Sequence, residues 1–266
     1  MKKIGIVLIS LCISLNLFNT IVFAKDITPE AHYVIAIDSK TKKVLYEKRA
    51  YENIAMASTT KMITSLVAIN YGNLDDIVTI SKTATAIRGA KVGFKTGEKL
   101  TLRELVWGLM FKSGNDAAIA IAEHLGGSVA GFSVLMNDFA KTIGIIDSNF
   151  QSPHGLDSAM HFSSAYDLAI LGATAMENEL FAEIVSTKEI SAKNTGFTRD
   201  YRNINKILWK IPNANGIKTG YTGQAGKCLV TSVKEKDSNI IIVVLNCPQR
   251  WDVTNRVYEY VKKEYY

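Results

Sequence analysis

Apolar and polar residues alternate near the start of this chain in a way that predicts a β-hairpin. Residues 32–39 (HYVIAIDS) and 43–48 (KVLYEK) alternate or run apolar on either side of a polar Lys40-Thr41-Lys42 turn. From Ser58 the spacing changes, with apolar residues at 62, 63, 66, 67 and 69 before Gly72. That spacing predicts a helix with almost all of its faces buried, which would run through the middle of the molecule.

Helical spacing continues through the middle of the chain. Residues 101–104 (TLRE) have the form of a capping box that opens the helix LRELVWGLM, and the segments NDAAIAIAEHLGG and SVAGFSVLMNDFAKTIG each end at glycine. A further helix is predicted over 164–176 (SAYDLAILGATAM).

Strands return after about residue 186, in KEISA, GIKTGYT, KCLVTSV and NIIIVVLNC, and an amphipathic helix, DVTNRVYEYVKKEYY, follows them. Strands at both ends with helices between them predict an α/β (α+β) fold. Its antiparallel sheet would be built from both termini, with an inserted all-helical lobe at about 64–180 and an active-site cleft between the two.

The first residues predict export rather than a part of the fold. Lys2 and Lys3 precede an apolar stretch that begins at Ile4, and Ala24 offers a small residue for cleavage. We therefore expect a signal peptide over 1–24 and a domain over 25–266 that acts outside the cytoplasm, in the cell wall or at the outer face of the cytoplasmic membrane. An uncleaved leader acting as an N-terminal anchor is the alternative, and a membrane would be a partner only in that case.

Charge and composition limit the remaining classes of function. The chain has 31 basic and 25 acidic residues, a mild excess that suits an anionic cell surface and is too weak to indicate nucleic-acid binding. The four histidines are scattered and no Cys-x-x-Cys is present. The sequence therefore predicts no catalytic metal and no other cofactor.

The first candidate for chemistry is Ser58-Thr59-Thr60-Lys61, at the start of the buried helix. Residues three apart share a helix face, so the amine of Lys61 can reach the hydroxyl of Ser58. A serine needs a base to act as a nucleophile, and burial at a positive helix N-terminus can lower the pKa of a lysine enough to supply one. The similar Ser39-Lys40-Thr41-Lys42 lies in the predicted hairpin turn, where nothing would lower the pKa of the amine.

The second candidate is Ser113-Gly114-Asn115, between two predicted helices. Either it is an ordinary turn whose Asn115 or Asp116 caps the next helix, or it presents a second hydroxyl and an amide to the cleft. In the second case these groups would relay a proton and hold a substrate carbonyl.

The third candidate occurs twice, as Lys95-Thr96-Gly97 and as Lys218-Thr219-Gly220. The first copy lies in a polar loop in front of the capping box, which indicates scaffolding. The second copy lies in an extended segment with several glycines, just before two clearly predicted strands. If this segment is an edge strand, it can align a bound peptide. Gly220 would let the substrate backbone approach closely.

The three motifs in this order, Ser-x-x-Lys, Ser-x-Asn and Lys-Thr-Gly, are found in penicillin-binding proteins and class A β-lactamases. Together with FQSPHGLDSAMHFSSAYDLAIL and NGIKTGYTGQAGKCLV, they make the chain resemble the serine D-alanyl-D-alanine carboxypeptidases, peptidase S11-like, of low molecular mass. The resemblance covers about residues 30 to 262. It implies a β-lactamase/transpeptidase-like fold, peptidoglycan stem peptides as substrates and β-lactam antibiotics as covalent inhibitors.

The resemblance also implies roles for the matching residues. Ser58 would be the acylated nucleophile and Lys61 its base, while Ser113 and Asn115 would move protons and hold the peptide. The binding residues would be Lys218, Thr219 and Gly220 along the substrate, Tyr221 and Ser58 through their backbone N–H groups as the oxyanion hole, and Arg250 at the terminal carboxylate, with Arg256 as the rival. His154 would lie in a structural loop, and Asp157 and Tyr166 would have a role only in packing.

Two other functions remain as alternatives. A class A-like β-lactamase would need a glutamate in a Glu-x-x-x-Asn pattern, and Glu177, Glu179 and Glu183 have no asparagine at that spacing. A non-catalytic penicillin-recognition module is the other, and the intact motifs disfavour it. Many relatives continue into a C-terminal β-domain and an amphipathic anchor, whereas this sequence, ending at Tyr266, predicts neither.

Two cysteines of the predicted domain, Cys228 and Cys247, fall on neighbouring predicted strands. A two-residue turn at Asp237-Ser238 would place them directly opposite each other, within reach of a disulfide bond. This register is compatible with a disulfide bond between Cys228 and Cys247 and equally with two free thiols.

Overall fold

The computed structural model describes residues 26–266, so the predicted leader at 1–24 lies outside the described residues. The strands are β1 Tyr33–Asp38, β2 Val44–Lys48, β3 Ile77–Thr79, β4 Lys99–Thr101, β5 Glu189–Ile190, β6 Tyr201–Arg202, β7 Ala214–Thr222, β8 Gly226–Glu235 and β9 Ser238–Leu245. The helices are α1 Lys61–Tyr71, α2 Lys82–Ala86, α3 Leu102–Phe111, α4 Asn115–Gly126, α5 Val129–Thr142, α6 Ala165–Ala175, α7 Glu179–Ser186, α8 Ala192–Thr195, α9 Ile207–Lys210 and α10 Arg250–Tyr265.

The main sheet has five antiparallel strands in the order β2-β1-β9-β8-β7. It therefore joins strands from the two ends of the described chain, as the sequence predicts. The first hairpin and the three later strands form where their patterns place them, but the segment KEISA contributes only the two-residue β5. Strand β7, which carries the second Lys-Thr-Gly, is an edge of the sheet.

The sheet separates two hydrophobic clusters because successive strand residues point to opposite faces. On β9, Ile241 and Val243 belong to the cluster shared with the helices of the middle of the chain, and Ile240 and Ile242 belong to the cluster under α10. Helix α10 covers its face with Val253, Val257 and Val261, which recur every four residues along one side of the helix. Both faces of the sheet are thus covered.

Helix α1 is the central helix that its apolar pattern predicts. Every residue from Lys61 to Ala68 is buried, and the helix contacts α3, α4, α5 and α6. A charged residue at the start of so buried a helix has no access to bulk water, so its chemistry is set by its protein neighbours.

The capping box at Thr101 forms only in part. The Thr101 Oγ1 accepts a hydrogen bond from the backbone N–H of Glu104, as predicted. The Glu104 carboxylate does not reach back to Thr101. It accepts hydrogen bonds instead from Thr198 and from the Tyr201 hydroxyl, 2.9 Å away, and so ties the segment before β6 to α3.

The register predicted for the two cysteines is wrong. Glu235 pairs with Ser238 and Leu229 pairs with Val244, so the turn is formed by Lys236 and Asp237, one residue earlier than expected. Lys236 takes the left-handed conformation, with φ +46°. Both thiols are free, Cys228 in the cluster next to the middle helices and Cys247 in the cluster under α10. The structure therefore contradicts a disulfide bond between them.

Within residues 26–266, no single helix is long and apolar enough to cross a membrane. Helices α4 and α5, which meet at a bend of 84°, are together long and apolar enough for a membrane span, judged by length and composition alone.

Candidate active site

Ser58 lies in a 3₁₀ turn, Ala57–Thr60, that leads directly into α1. Ala57 takes the left-handed conformation, with φ +51°. The turn is held by two side chains, since Thr59 Oγ1 donates to the Met56 carbonyl at 2.6 Å and Thr60 Oγ1 donates to the Ala57 carbonyl at 2.8 Å. This local structure fixes the hydroxyl of Ser58 over the first residue of the helix.

Lys61 is the first residue of α1, and its side-chain nitrogen contacts Ser58 as the three-residue spacing predicts. Lys61 Nζ lies 2.9 Å from Ser58 Oγ, 2.8 Å from Asn115 Oδ1 and 2.6 Å from the His154 carbonyl oxygen. The side chain is 0% exposed. Burial, and next the charge of Lys218, lower the pKa of Lys61 well below its ordinary value. A neutral amine beside a serine hydroxyl can accept its proton.

Asn115 is oriented by a loop that crosses over it. Its Nδ2 donates to the Arg88 carbonyl at 2.7 Å, and its backbone N–H donates to the Ala90 carbonyl at 2.7 Å. The amide oxygen is thereby turned toward Lys61. At Gly89, with φ +88°, a Cβ would lie 2.8 Å from Asn115 Nδ2, so this loop can approach only without a side chain there.

Asp116 holds the same loop, and the sequence reasoning did not find this. Neither Asn115 nor Asp116 is the N-cap of α4, which is Gly114. The buried Asp116 carboxylate accepts hydrogen bonds from the backbone N–H groups of Val92 at 2.9 Å, Gly93 at 2.8 Å and Phe94 at 3.3 Å. An acidic residue directly after Ser-Gly-Asn was the available signal.

Ser113 takes the left-handed conformation, with φ +57°, immediately before α4. Lys218 Nζ donates to Ser113 Oγ at 3.1 Å and to the Thr219 carbonyl at 3.0 Å. Burial, and next the charge of Arg250, lower the pKa of Lys218 to about 7. Ser113 therefore faces Lys218 while Asn115 faces Lys61, so the turn between the helices presents both side chains to the cleft.

Strand β7 passes very close to the turn that carries Ser58. At Gly220, a Cβ would lie 2.9 Å from the Ala57 Cβ and 2.9 Å from the Ser58 nitrogen, so no larger residue fits without displacement. Thr219 is buried beside it, and Tyr221 is 68% exposed at the rim. The strand thus brings Lys218, Thr219 and Gly220 beside the serine, with Tyr221 next along the chain.

Of the two candidate arginines, Arg250 lies at the cleft. It is the first residue of α10, and its Nη1 donates to the Gly220 carbonyl at 2.6 Å and to the Cys228 carbonyl at 3.1 Å. Arg256, the rival, is engaged elsewhere, with the carboxylate of Glu30 and the Ile27 carbonyl.

The histidines near the site are neutral and structural in their contacts. His154 offers its carbonyl to Lys61, while its Nδ1 accepts from the Leu156 N–H at 3.1 Å, and burial lowers its pKa to about 3. His161 was not found from the sequence. Its Nδ1 accepts from the Gln151 N–H at 2.9 Å, which leaves Nε2 to donate to Thr60 Oγ1 at 2.8 Å, and burial lowers its pKa to about 4. His161 thereby supports the turn that carries Ser58.

Asp157 does more than pack. Its carboxylate accepts from the Thr222 hydroxyl at 2.5 Å and from the Gln224 N–H at 3.1 Å, which fixes the end of β7 just beyond Tyr221.

The sheet and the middle helices form the fold of the penicillin-binding DD-peptidases, and this site is of the kind found in that class of protein. The chain belongs to the D-alanyl-D-alanine carboxypeptidase family, peptidase S11, whose family model matches residues 20–249.

Curated relatives and solved structures agree with this assignment. The chain is 36% identical over 82% of its length to D-alanyl-D-alanine carboxypeptidase DacF of Bacillus subtilis, and 38% identical over 87% of its length to DacC of Escherichia coli. It spans only 58% and 61% of those two proteins. The Streptomyces K15 DD-transpeptidase superposes with a TM-score of 0.82 at 30% identity, covering 88% of this chain and 97% of that one. A D-alanyl-D-alanine carboxypeptidase from Mycobacterium tuberculosis H37Rv gives 0.82 at 28% identity, covering 88% and 91%.

Proposed function

We propose that this chain is a serine D-alanyl-D-alanine carboxypeptidase that removes the terminal D-alanine from peptidoglycan stem pentapeptides. The observation that carries the proposal is the 2.9 Å contact between Ser58 Oγ and the fully buried Lys61 Nζ. Family membership supports the choice of reaction.

In the acylation step, Ser58 Oγ attacks the carbonyl carbon of the peptide bond between the two D-alanines. Its proton passes to the neutral Lys61 amine, which the lowered pKa makes available. The C–N bond then breaks, an ester forms on Ser58, and the leaving amine of D-alanine takes up a proton. Ser113, which contacts Lys218 at 3.1 Å, is the proposed donor of that proton, and it is reprotonated from the lysines around it.

Binding groups surround the reacting carbonyl. The backbone N–H groups of Ser58 and Tyr221 are the proposed oxyanion hole, and Asn115 holds the peptide. The terminal carboxylate is bound by Lys218 and Thr219, with Arg250 close behind Gly220. Because β7 is an edge strand, its outer backbone groups can pair with an extended substrate while Gly220 keeps the approach clear.

Deacylation returns the enzyme to its starting state. Water attacks the ester carbonyl, its proton moves to Lys61, and the Ser58 oxygen leaves with a proton from the same amine. β-Lactam antibiotics acylate the same serine as covalent inhibitors, since their ring amide takes the place of the scissile bond.

The proposed context is outside the cytoplasm, with residues 25–266 as the peptidase domain and about 64–180 as its helical lobe. The relatives are named as carboxypeptidases of D-alanyl-D-alanine, a group found in the cell wall, which supports this location.

The β-lactamase alternative has less support. Of the three glutamates considered for it, Glu177 pairs with Lys42 at 3.0 Å, and that lysine belongs to the first hairpin. The matched relatives are named as carboxypeptidases, and a named transpeptidase is among the solved structures.

Release of D-alanine from diacetyl-L-lysyl-D-alanyl-D-alanine tests the proposal, with the Ser58→Ala variant and a chromogenic cephalosporin alongside. We expect D-alanine release that requires Ser58 and slow cephalosporin turnover. Rapid cephalosporin hydrolysis without D-alanine release would replace the proposal with a β-lactamase, and no activity on either would leave a binding module.

A further inference from the structure

A basic groove adjoins the segment that carries Ser113, and the proposed chemistry makes no use of it. It has a volume of about 530 Å³. Its lining residues are Lys112, Arg202, Asn203, Ile204, Lys206, Trp209 and Lys210. Four of them are cationic and none is acidic. We call this feature the Trp209 groove.

Most of this positive charge is not neutralised by the protein. Arg202 pairs with Glu189, its Nε lying 3.1 Å from a carboxylate oxygen. For Lys112, Lys206 and Lys210, no carboxylate oxygen of residues 26–266 lies within 4.0 Å of the ammonium. The groove is therefore electrostatically suited to an anionic ligand.

The floor of the charged area is aromatic. Trp209 is 46% exposed and Ile204 is 44% exposed. The Lys188 ammonium lies 5.6 Å, and the Arg202 guanidinium 6.0 Å, from the centroid of the Trp209 ring. A partly exposed indole beside cations can contact the apolar face of a sugar ring while the cations pair with carboxylates.

The groove lies next to the segment that carries Ser113. Lys112 immediately precedes Ser113, so their Cα atoms are about 3.8 Å apart. The Ile204 N–H donates to the Phe111 carbonyl at 3.2 Å, which fixes the groove wall to the end of α3. A second cavity of about 580 Å³ shares Lys112 and Arg202 with it and is also lined by Glu189 and Asp200.

We propose that the Trp209 groove binds the glycan-linked part of the substrate, namely a sugar ring and the free carboxylates of the peptidoglycan strand that carries the stem peptide. This inference rests on the proposed function. The concave shape and the junction with Ser113 favour an extended polymer over the flat surface of an anionic membrane. The groove then selects for strand-attached over free stem peptides.

Two variants test the groove, Trp209→Ala and the double change Lys206→Gln/Lys210→Gln. Each is compared with the wild type on diacetyl-L-lysyl-D-alanyl-D-alanine and on soluble, uncross-linked glycan strands bearing pentapeptides. We expect kcat/KM on the glycan strands to fall by about tenfold, mainly through KM, because a central aromatic anchor or a charge pair is lost. On the small peptide, kcat/KM should stay within about twofold.

The matched control is Lys82→Gln/Lys263→Gln, which removes the same charge from exposed positions outside the groove. It should leave both substrates unaffected. The wild-type small-peptide rate tests the proposed function separately, and the rate of penicillin acylation shows that each variant is folded.

Three results would overturn the groove proposal. The first is an equal loss on both substrates, and the second is no loss on the glycan strands. The third is binding to phosphatidylglycerol vesicles that the variants abolish while glycan-strand kinetics stay unchanged, which would make the surface a membrane contact.

Discussion

The two Lys-Thr-Gly copies have the same three residues in two different surroundings. Lys95, Thr96 and Gly97 lie in the loop before β4, where a Cβ on Gly97 would meet no atom within 4 Å. In the second copy Lys218 and Thr219 are buried, and a Cβ on Gly220 would press on the turn that carries Ser58. The tripeptide alone therefore does not define a site, and the role proposed for the second copy depends on its position on an edge strand beside Ser58.

The two Ser-x-x-Lys segments differ in the same way. Lys42 donates to the Ser39 carbonyl and pairs with Glu177, so its charge is compensated at the surface. Lys61 has Asn115 and a carbonyl as its remaining partners and no carboxylate in contact. Burial, and next the charge of Lys218, lower the pKa of Lys61, and this is the difference expected between a general base and an ordinary lysine.

The largest contrast is expected from the two lysines of the Ser-x-x-Lys segments. Lys61→Gln should slow acylation by penicillin about 10³-fold, because the general base is lost. Lys42→Gln should leave the rate unchanged and alter the free energy of unfolding by less than about 1 kcal/mol, since a surface ion pair contributes little. Stopped-flow acylation and urea denaturation measure the two effects, and equal rates for both variants would remove the basis of the contrast.

A smaller contrast is expected between the lysines of the two Lys-Thr-Gly copies. Lys218→Gln should lower kcat/KM for D-alanine release about 10²-fold, since the contact with Ser113 and the proposed contact with the substrate carboxylate are both lost. Lys95→Gln should have no effect, because this side chain is exposed. Steady-state kinetics on the diacetyl peptide decide this, and a similar loss in Lys95→Gln would show that the first copy also takes part.

Alanine at the two glycines should differ in its effect on acylation. Gly220→Ala should impair acylation, and overpacking should cost about 1–3 kcal/mol of stability, because the new methyl group meets Ala57 and Ser58. Gly97→Ala should leave acylation intact and cost about 1 kcal/mol, because φ is +82° there. Thermal unfolding and acylation rates separate these outcomes. Unimpaired acylation in Gly220→Ala would contradict the close approach of β7.

The smallest expected effect is a shift in pH dependence. Protonation of Lys61 removes the base, so acylation by the wild type should slow as pH falls. Asp116 raises the pKa of Lys61 and so opposes the effect of burial and Lys218. Asp116→Asn should therefore lower that pKa further and move the acidic limb to lower pH, while the weakened hydrogen bonds to Val92, Gly93 and Phe94 should lower the rate at every pH. Asp75→Asn, at an exposed position, should change neither. Acylation rates between about pH 5 and pH 9 test this, and a flat wild-type profile would contradict the role of Lys61.

Much of the fold and site could be predicted because the signals are local. Strand alternation and the buried pattern of α1 predict the elements. The resemblance carried by the three motifs implies Ser58, Lys61, Ser113 and Lys218 as site residues, and the structure brings them together. The preference for the second Lys-Thr-Gly likewise came from its extended, glycine-rich setting.

Features set by long-range contacts could not be predicted. Asp116 acts through backbone groups more than twenty positions earlier in the chain, and His161 acts on Thr60 across 101 positions. The predicted register of the two cysteines is wrong because a turn displaced by one residue shifts every cross-strand pair. The Trp209 groove has no motif at all, because residues from two separate segments form it.

The most direct test of the central claim is the intact mass of the purified protein over time after addition of a penicillin, with Ser58→Ala and Ser39→Ala alongside. We predict a long-lived adduct of one penicillin per chain in the wild type and in Ser39→Ala, and none in Ser58→Ala. An adduct that persists in Ser58→Ala, or its absence from the wild type, would contradict the assignment of Ser58 as the nucleophile.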